Sequence, residues 1–235
     1  MTDLIPTPAT PRLAVRGGGT FPVRRIYCVG RNFADHAREM GATPADAATR
    51  GRPMFFCKPA DAIVAGNDGP VPYPSATDNL HHEVELVVAL GSDAPDGGVI
   101  QPDQALSLVL AYGVGLDLTR RDLQAQAKAA GAPWDIAKGF DHSAPVSELV
   151  PASAVGDLGT RAITLEVNGQ LRQSSTLDNM IWNVAEIIHE LSQLFALKAG
   201  DLIMMGTPAG VGALQRGDTF TAHIDGIGQR SGKIV

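Results

Sequence analysis

Hydrophobic and polar residues alternate with period two along much of the chain, which is the spacing of half-buried β-strands. Residues 163–167 alternate strictly and are followed by Asn168-Gly169, a strong signal for a two-residue hairpin turn. Residues 80–90 differ, because their second half is apolar at every position, as in a strand buried on both faces. Further strands are predicted at 23–29, 54–58 and 111–118, and in the C-terminal segments LIMMG, TFTAHIDG and GKIV.

Helical spacing is confined to a few segments. The clearest predicted helix spans residues 119–130. Thr119 can cap it, Asp122 completes a capping box, and Gly131 can end it. Apolar side chains at helical spacing predict an amphipathic helix over 181–197. The remaining expectations are short helices over 33–40 and 102–110 and an irregular segment over 131–160.

Strands outnumber helices, and the helices are dispersed along the chain. This order favours an α+β fold that is mainly β, with antiparallel or mixed sheets. Residues 1–22 are rich in Pro, Thr and Gly, and we interpret them as an N-terminal arm or short edge strand before a single domain over 23–235. Residues 42–52 are small and polar, and we expect a mobile loop there.

Two carboxylates interrupt the strand predicted at 80–90. Period two places Glu83 and Glu85 on one face, beside His81, with Cα atoms about 6.5–7 Å apart. Carboxylates brought together in an apolar setting repel each other, so one must take up a proton unless a cation lies between them. Oxygen ligands favour Mg²⁺, Mn²⁺ or Ca²⁺ over zinc.

A complete metal site needs at least one more ligand from another segment. Asp117 is a good candidate, because it is an acid at the end of an otherwise apolar strand. The alternative stays open that Glu83 and Glu85 lie on a solvated strand face and that Asp117 only precedes a helix.

His36 and Glu39 are three residues apart in a predicted helix and therefore share a face. A carboxylate beside an imidazole orients the ring and raises its basicity, as a general base acting on water requires. The glycine-containing turn before this helix and the polar loop after it suit a lid. A surface helix with an incidental ion pair is the alternative.

Other polar residues stand in apolar or glycine-rich settings. Lys138 could neutralise a substrate carboxylate or an oxyanion, or it could be an ordinary surface lysine. Residues 206–212 (GTPAGVG) could hold a carboxylate through Thr207 and backbone N–H groups, or form a plain turn. Arg121 and Gln124, just after Asp117, could reach a substrate anion or lie in solvent.

Composition excludes several classes of partner. The formal net charge is -6 and the basic residues are scattered, which argues against nucleic-acid binding. No apolar run approaches the ~20 residues of a transmembrane helix, and the N-terminus lacks the pattern of a secretory signal. Cys28 and Cys57 stand alone among apolar residues, so we expect reduced core cysteines in a cytoplasmic protein.

Five segments, in this order, resemble the motifs of the fumarylacetoacetate hydrolase superfamily. They are VGRNFADH (29–36), LHHEVEL (80–86), GLDLT (115–119), AKGF (137–140) and GTPAGVG (206–212). The runs at 117–124 and 134–141 are most similar to the acylpyruvate hydrolase branch, and within it to bacterial fumarylpyruvate hydrolases. Each motif is weak alone, but five in the family's order are specific.

The resemblance implies β-sheets rolled around a metal site, usually in a homodimer. It implies one Mg²⁺ or Mn²⁺ per chain, held by Glu83, Glu85 and Asp117. It also implies a lid that carries His36 and Glu39. The positions of substrate contacts in the family correspond to Arg31, Gln124, Lys138 and Thr207, and Phe33 and Arg121 complete the candidate substrate-binding set.

The implied reaction is hydrolysis of the C–C bond of a 2,4-dioxo acid, with fumarylpyruvate as the expected substrate in aromatic catabolism. His36, with Glu39, would activate water, while Lys138 and Gln124 would hold the oxyanion. Arg121 or Arg31 would bind the far carboxylate. The alternatives are decarboxylation of oxaloacetate, isomerisation or decarboxylation of 2-oxo-hexenedioate-type substrates, and a non-catalytic protein that binds a metal or ligand.

Overall fold

The computed structural model describes residues 4–41, 43, 50–95 and 98–235. None of the helices in this part of the chain has the length and apolarity that spanning a bilayer requires. The strands are β1 (Arg12–Ala14), β2 (Thr20–Pro22), β3 (Arg25–Gly30), β4 (Met54–Lys58), β5 (Ile63–Ala65), β6 (Pro70–Val71), β7 (Leu80–His82), β8 (Val84–Leu90), β9 (Val109–Leu116), β10 (Thr119–Arg120), β11 (Ala144–Val146), β12 (Val150–Pro151), β13 (Ala162–Val167), β14 (Gln170–Thr176), β15 (Asp201–Met204), β16 (Gly212–Leu214), β17 (Thr219–Ile224) and β18 (Gly228–Ile234). The helices are α1 (Ala34–Glu39), α2 (Pro102–Ala105), α3 (Arg121–Ala130), α4 (Asp135–Lys138), α5 (Ala152–Val155) and α6 (Val184–Ser192).

The central sheet has the strand order β4-β3-β15-β8-β9-β11-β5, and β12 also pairs with β9. It is mixed, because β15 is parallel to β3 and β11 is parallel to β5 while the other pairs are antiparallel. A second sheet has the order β14-β13-β17-β18-β6, and a small one the order β10-β7-β16. The predicted α+β fold with mainly β structure and mixed sheets is therefore confirmed.

Strand β8 lies between two hydrophobic cores. Leu86 and Val88 point into the larger core, which the second sheet and α6 complete. Val87 and Ala89 point the other way, into a smaller core. Burial on both faces explains why the second half of this strand is apolar at every position.

The N-terminal strands β1 and β2 pair with each other and cover the smaller core. Leu13 and Phe21 are buried there, and Leu149 N donates to Ala14 O at 2.8 Å. The division of the chain into an arm and a domain at residue 22 stays a prediction. Most of the loop predicted over 42–52 lies outside the described residues.

The hairpin predicted at Asn168-Gly169 is confirmed, since both residues have positive φ, 52° and 70°, between β13 and β14. The predicted helix over 181–197 was too long: α6 is shorter at both ends. Asn183 caps it, because its side-chain Oδ1 accepts a hydrogen bond from Glu186 N at 3.0 Å. The side chain of Glu186 in turn accepts a hydrogen bond from Asn183 N.

The predicted capping of the 119–130 helix by Thr119 was wrong. Thr119 belongs to β10, whose pairing with β7 keeps its backbone extended, and its hydroxyl lies 3.2 Å from Glu83 Oε1. The helix begins at Arg121, and Asp122 instead accepts a hydrogen bond from Thr77 Oγ1 at 2.6 Å. It ends at Gly131, with φ 63°, as predicted.

Three other expectations needed correction. The segment predicted to be irregular contains α4, β11, β12 and α5. Cys28 is buried as expected, but Cys57 is exposed, because β4 is the edge strand of the central sheet. The segment predicted as a helix over 102–110 is helical only in α2 and in one 3₁₀ turn after it. Strand β9 already begins at Val109.

Candidate functional site

Three carboxylates meet where strands of the central sheet end. Glu83 lies between β7 and β8, Glu85 is in β8, and Asp117 follows the antiparallel partner β9. Asp117 N donates to Glu83 O at 2.9 Å, which fixes the two segments side by side. One oxygen from each carboxylate can be chosen so that all lie within 4.8 Å of one another. All three side chains are buried, so the alternative of a solvated strand face is excluded.

Three cations surround two of these carboxylates. Lys138 Nζ lies 3.0 Å from Glu83 Oε2 and 2.6 Å from Asp117 Oδ2. Arg121 pairs with Glu83 Oε1, and Lys58 Nζ lies 2.8 Å from Asp117 Oδ1. Burial opposes the ionised form of Glu83, but Lys138 and Arg121 outweigh it and lower the pKa of Glu83. Burial likewise opposes the charged form of Lys138, but Asp117 and Glu83 outweigh it and raise its pKa.

Glu85 has no such partner, since it forms no ion pair with any described residue. Its Oε2 accepts a hydrogen bond from Gly206 N at 2.7 Å. Burial, followed by the charges of Asp117 and Glu83, raises the pKa of Glu85 well above its usual value. The carboxylate cluster therefore retains an electrostatic conflict that a further cation would resolve.

The donor set fits a divalent cation. Three carboxylates offer only oxygen, which suits Mg²⁺ or Mn²⁺. Within the described part of the chain, the buried Asp117 Oδ1 accepts no hydrogen bond, although the ammonium group of Lys58 is close. The acidic triad Glu83, Glu85 and Asp117 could thus bind a divalent metal.

Lys58 was missed in the sequence. Its side chain is buried, and besides its approach to Asp117 it donates to Leu118 O at 3.1 Å and to Lys138 O. It therefore fixes the backbone around the acidic triad. The sequence did contain a signal for Lys58, which ends the apolar strand MFFCK. Lys138 was singled out for the same reason, since it also stands in an apolar stretch.

His36 and Glu39 form the predicted pair on α1. His36 Nδ1 lies 3.0 Å from Glu39 Oε2, and the His36 side chain is buried in the wall of the cavity that contains the acidic triad. The other oxygen, Glu39 Oε1, accepts a hydrogen bond from Gly210 N at 3.0 Å. Helix α1 is therefore docked on the loop at 206–212.

Most predicted substrate-binding residues line this same cavity of about 30 Å³. They are Arg31, Arg121, Gln124 and Thr207, together with Lys138. Phe33 is not part of that lining: it is buried at the start of α1, where it forms a β-bridge with Met180. Gln124 Oε1 accepts a hydrogen bond from Arg121 Nη1 at 2.6 Å.

Gln173 is a second residue that the sequence did not reveal. It is fully buried on β14, and its Nε2 donates to Thr207 Oγ1 and to Pro208 O, both at 2.8 Å. Its Oε1 accepts from Val84 N at 3.1 Å and lies 3.0 Å from His82 Nδ1. One side chain thus connects the loop at 206–212 to the strand segment that carries Glu83 and Glu85.

Comparisons with known proteins identify the family of this chain. Residues 25–235 match the family model described as fumarylacetoacetate (FAA) hydrolase C-terminal. A fumarylpyruvate hydrolase from Pseudomonas aeruginosa, solved in complex with Mn²⁺ and pyruvate, is 48% identical with a TM-score of 0.92, over 100% of this chain and 99% of the other.

Curated relatives carry a different activity. The oxaloacetate tautomerase YcgM of Escherichia coli (strain K12) is 41% identical over 88% of this chain and 90% of its own length. The mitochondrial oxaloacetate tautomerase FAHD1 of Rattus norvegicus is 42% identical over 87% and 88%. The family match over nearly the whole chain shows that this protein belongs to the fumarylacetoacetate hydrolase family.

Proposed function

We propose that this protein hydrolyses the C–C bond of a 2,4-dioxo acid and that its substrate is fumarylpyruvate, which gives fumarate and pyruvate. One observation carries the proposal: His36, which is paired with Glu39, lines the same cavity as the acidic triad. A water-activating base is of no use to a protein that only binds a metal or ligand. The similar enzyme from Pseudomonas aeruginosa, solved with Mn²⁺ and pyruvate, supports this substrate class.

The charges of the site suit an anionic substrate. The three carboxylates of the triad are equal in number to the nearby cations Lys58, Lys138 and Arg121, although these cations pair only with Glu83 and Asp117. A divalent cation bound there leaves two positive charges uncompensated, which complements the dianion of a substrate such as fumarylpyruvate. When bound, the ion supplies Lewis acidity and stabilises the enolate of the departing pyruvate.

His36 is the proposed base. Because Glu39 holds Nδ1, the imidazole is in the tautomer that leaves Nε2 free to accept a proton from water. The hydroxide formed attacks the distal carbonyl of the substrate. Collapse of the tetrahedral intermediate breaks the C–C bond, releases fumarate, and leaves the enolate of pyruvate. The proton held by His36 then passes to the enolate carbon.

Lys138 and Gln124 are the proposed donors to the oxyanion that forms during attack. Both are buried in the cavity wall, where hydrogen bonds to a developing charge are strongest. By analogy with other oxyanion sites, loss of one donor costs about 3–4 kcal/mol of transition-state stabilisation. Thr207 is proposed to bind the 2-oxo acid end. The homodimer and the cytoplasmic location belong to the same proposal.

Tautomerisation of oxaloacetate is the second candidate function, favoured by the activities of the curated relatives. This reaction moves a proton between carbon and oxygen, so His36 would serve as the proton carrier and no water would attack. Decarboxylation of oxaloacetate is a further variant with the same enolate chemistry.

A substrate panel separates these functions. The purified protein, with Mg²⁺ or Mn²⁺, is incubated with fumarylpyruvate, acetylpyruvate and oxaloacetate. We expect loss of the ultraviolet absorbance of the diketone, with fumarate and pyruvate released in equal amounts. The proposal would be overturned if neither acylpyruvate is cleaved while oxaloacetate releases CO₂ or exchanges between its tautomers. Absence of turnover with all three would indicate a binding protein.

A further inference from the structure

A second cavity of about 190 Å³ lies beside the candidate active site. Gly30, the last residue of β3, and Arg31, in the turn that follows, belong to the walls of both cavities. The first cavity, at about 30 Å³, has room for only about two water molecules. An acylpyruvate bound at the acidic triad therefore needs space for its acyl end, and the second cavity is the adjacent space.

The second cavity is basic. Its described lining contains Arg31, Arg50 and Arg52 but no carboxylate. Arg50 is already engaged, because it lies 3.8 Å from the centroid of the Trp182 ring and pairs with Glu186. Arg31 and Arg52 form no ion pair with any residue in the described ranges. Two guanidinium groups are thus available to an incoming anion.

Apart from Thr43, the rest of the described wall is apolar. Met54, Ile181 and Trp182 contribute to it, and Trp182 is held in place by its stacking against Arg50. An apolar wall with unpaired guanidinium groups matches an unsaturated carbon chain that ends in a carboxylate. Arg31 also has φ 59°, a conformation that glycine or asparagine adopts more readily, and such backbone strain occurs often at binding sites.

We propose that the second cavity is the subsite for the acyl group of the substrate, in which Arg31 and Arg52 bind its terminal carboxylate. Dicarboxylic acylpyruvates are then preferred over acetylpyruvate, whose methyl group cannot pair with a guanidinium group. We propose Arg31 rather than Arg121 for this carboxylate, because Arg121 already pairs with Glu83 and donates to Gln124. The inference rests on the proposed hydrolase function, which places the reacting end of the substrate at the acidic triad.

The test compares Arg52→Gln with a matched control, Arg12→Gln, in the N-terminal hairpin, which contributes no lining residue to either cavity. Arg52 is exposed, so its substitution leaves the fold intact. We expect the ratio of kcat/KM for fumarylpyruvate to that for acetylpyruvate to fall about 10- to 100-fold, mainly through KM. Arg52→Lys should recover part of this loss because it keeps the positive charge. Arg12→Gln should leave the ratio at the wild-type value.

An unchanged ratio in Arg52→Gln, or equal loss for both substrates, would overturn the subsite. A second measurement does not depend on turnover: calorimetric binding of fumarate to the Mn²⁺-loaded protein. We expect about 10-fold or greater weakening in Arg52→Gln, and equal affinities would also refute the subsite. If the wild-type protein binds fumarate through Arg52 but cleaves no acylpyruvate, the hydrolase proposal fails while the subsite stands.

Discussion

The carboxylate of Glu39 joins His36 to the backbone of Gly210. One oxygen lies 3.0 Å from His36 Nδ1, and the other accepts a hydrogen bond from Gly210 N, also at 3.0 Å. The group that orients the proposed base therefore also docks α1 on the loop at 206–212. Orientation of the proposed base and docking of α1 on this loop are coupled through this one side chain.

Replacement of His36 by alanine tests the proposed base. We expect kcat for fumarylpyruvate to fall by about 10²–10⁴-fold, the usual contribution of general-base catalysis. The affinity for Mn²⁺, measured by electron paramagnetic resonance, should not change, because His36 is not part of the acidic triad. His223→Ala, on β17, is the control. A normal rate of pyruvate release by His36→Ala would mean that another group activates the water.

Glu85→Gln should separate metal binding from stability. Without metal, this substitution removes a buried carboxyl group whose ionised form is disfavoured and which forms no ion pair with any described residue, while the amide oxygen can still accept from Gly206 N. We therefore expect the metal-free variant to be at least as stable as the wild type. Bound metal at 100 times its Kd stabilises a protein by about 2.7 kcal/mol, which raises Tm by about 5–10 °C in a chain of this size.

This increase in Tm with Mn²⁺ should occur in the wild type and disappear in Glu85→Gln. Thermal unfolding with a chelator and with excess Mn²⁺ measures both effects. Glu166→Gln, exposed on β13, is the matched control and should retain the increase. A Mn²⁺-dependent increase in the Glu85→Gln variant would show that Glu85 is not a ligand.

The acidic triad could be predicted from the sequence because each of its signals is local. Glu83 and Glu85 lie at the start of an apolar strand, and Asp117 directly follows another. Once the strands are recognised, these three acids stand out as candidate metal ligands, because charged side chains are rare in a buried sheet. The hairpin at Asn168-Gly169 was predictable for the same reason, since the turn type follows from two adjacent residues.

Features that depend on distant partners could not be predicted in this way. Thr119 has the local signature of a helix cap, but its pairing with β7 and its contact with Glu83 override that signature. Gln173 is an ordinary polar residue in the sequence of β14, and only the packing of the second sheet against the active site buries it. The proposed acyl subsite depends on Arg31 and Arg52 lining one cavity, and the sequence does not show that these two residues lie close together.

Gly210→Ala tests the docking of α1 on its loop. Gly210 has φ +99°, and an added Cβ would lie 2.0 Å from Arg172 O, so the loop must move away from β14. Gly217→Ala is a matched control, because φ is similar, +96°, but no atom lies within 4 Å of the added Cβ. Both variants incur backbone strain of about 1–2 kcal/mol.

We expect only Gly210→Ala to lower kcat, because displacement of the loop breaks the hydrogen bond from Gly210 N to Glu39. Steady-state kinetics with fumarylpyruvate and urea unfolding of each variant measure the two effects separately. Equal kcat values in the two variants would mean that the docking of Glu39 on this loop does not matter for the reaction.

Gln173→Leu should destabilise the protein and impair the site together. Leucine has a similar volume, but it leaves Val84 N and Pro208 O buried without a partner and frees the Thr207 hydroxyl. Each unsatisfied buried group costs about 1–3 kcal/mol, so we expect the free energy of unfolding of the metal-free protein to fall by about 3 kcal/mol. Urea unfolding measures this loss, and Gln215→Leu, at an exposed position, should lose little. A wild-type urea midpoint in Gln173→Leu would show that Thr207 and the Glu83–Glu85 segment are held in place by other contacts.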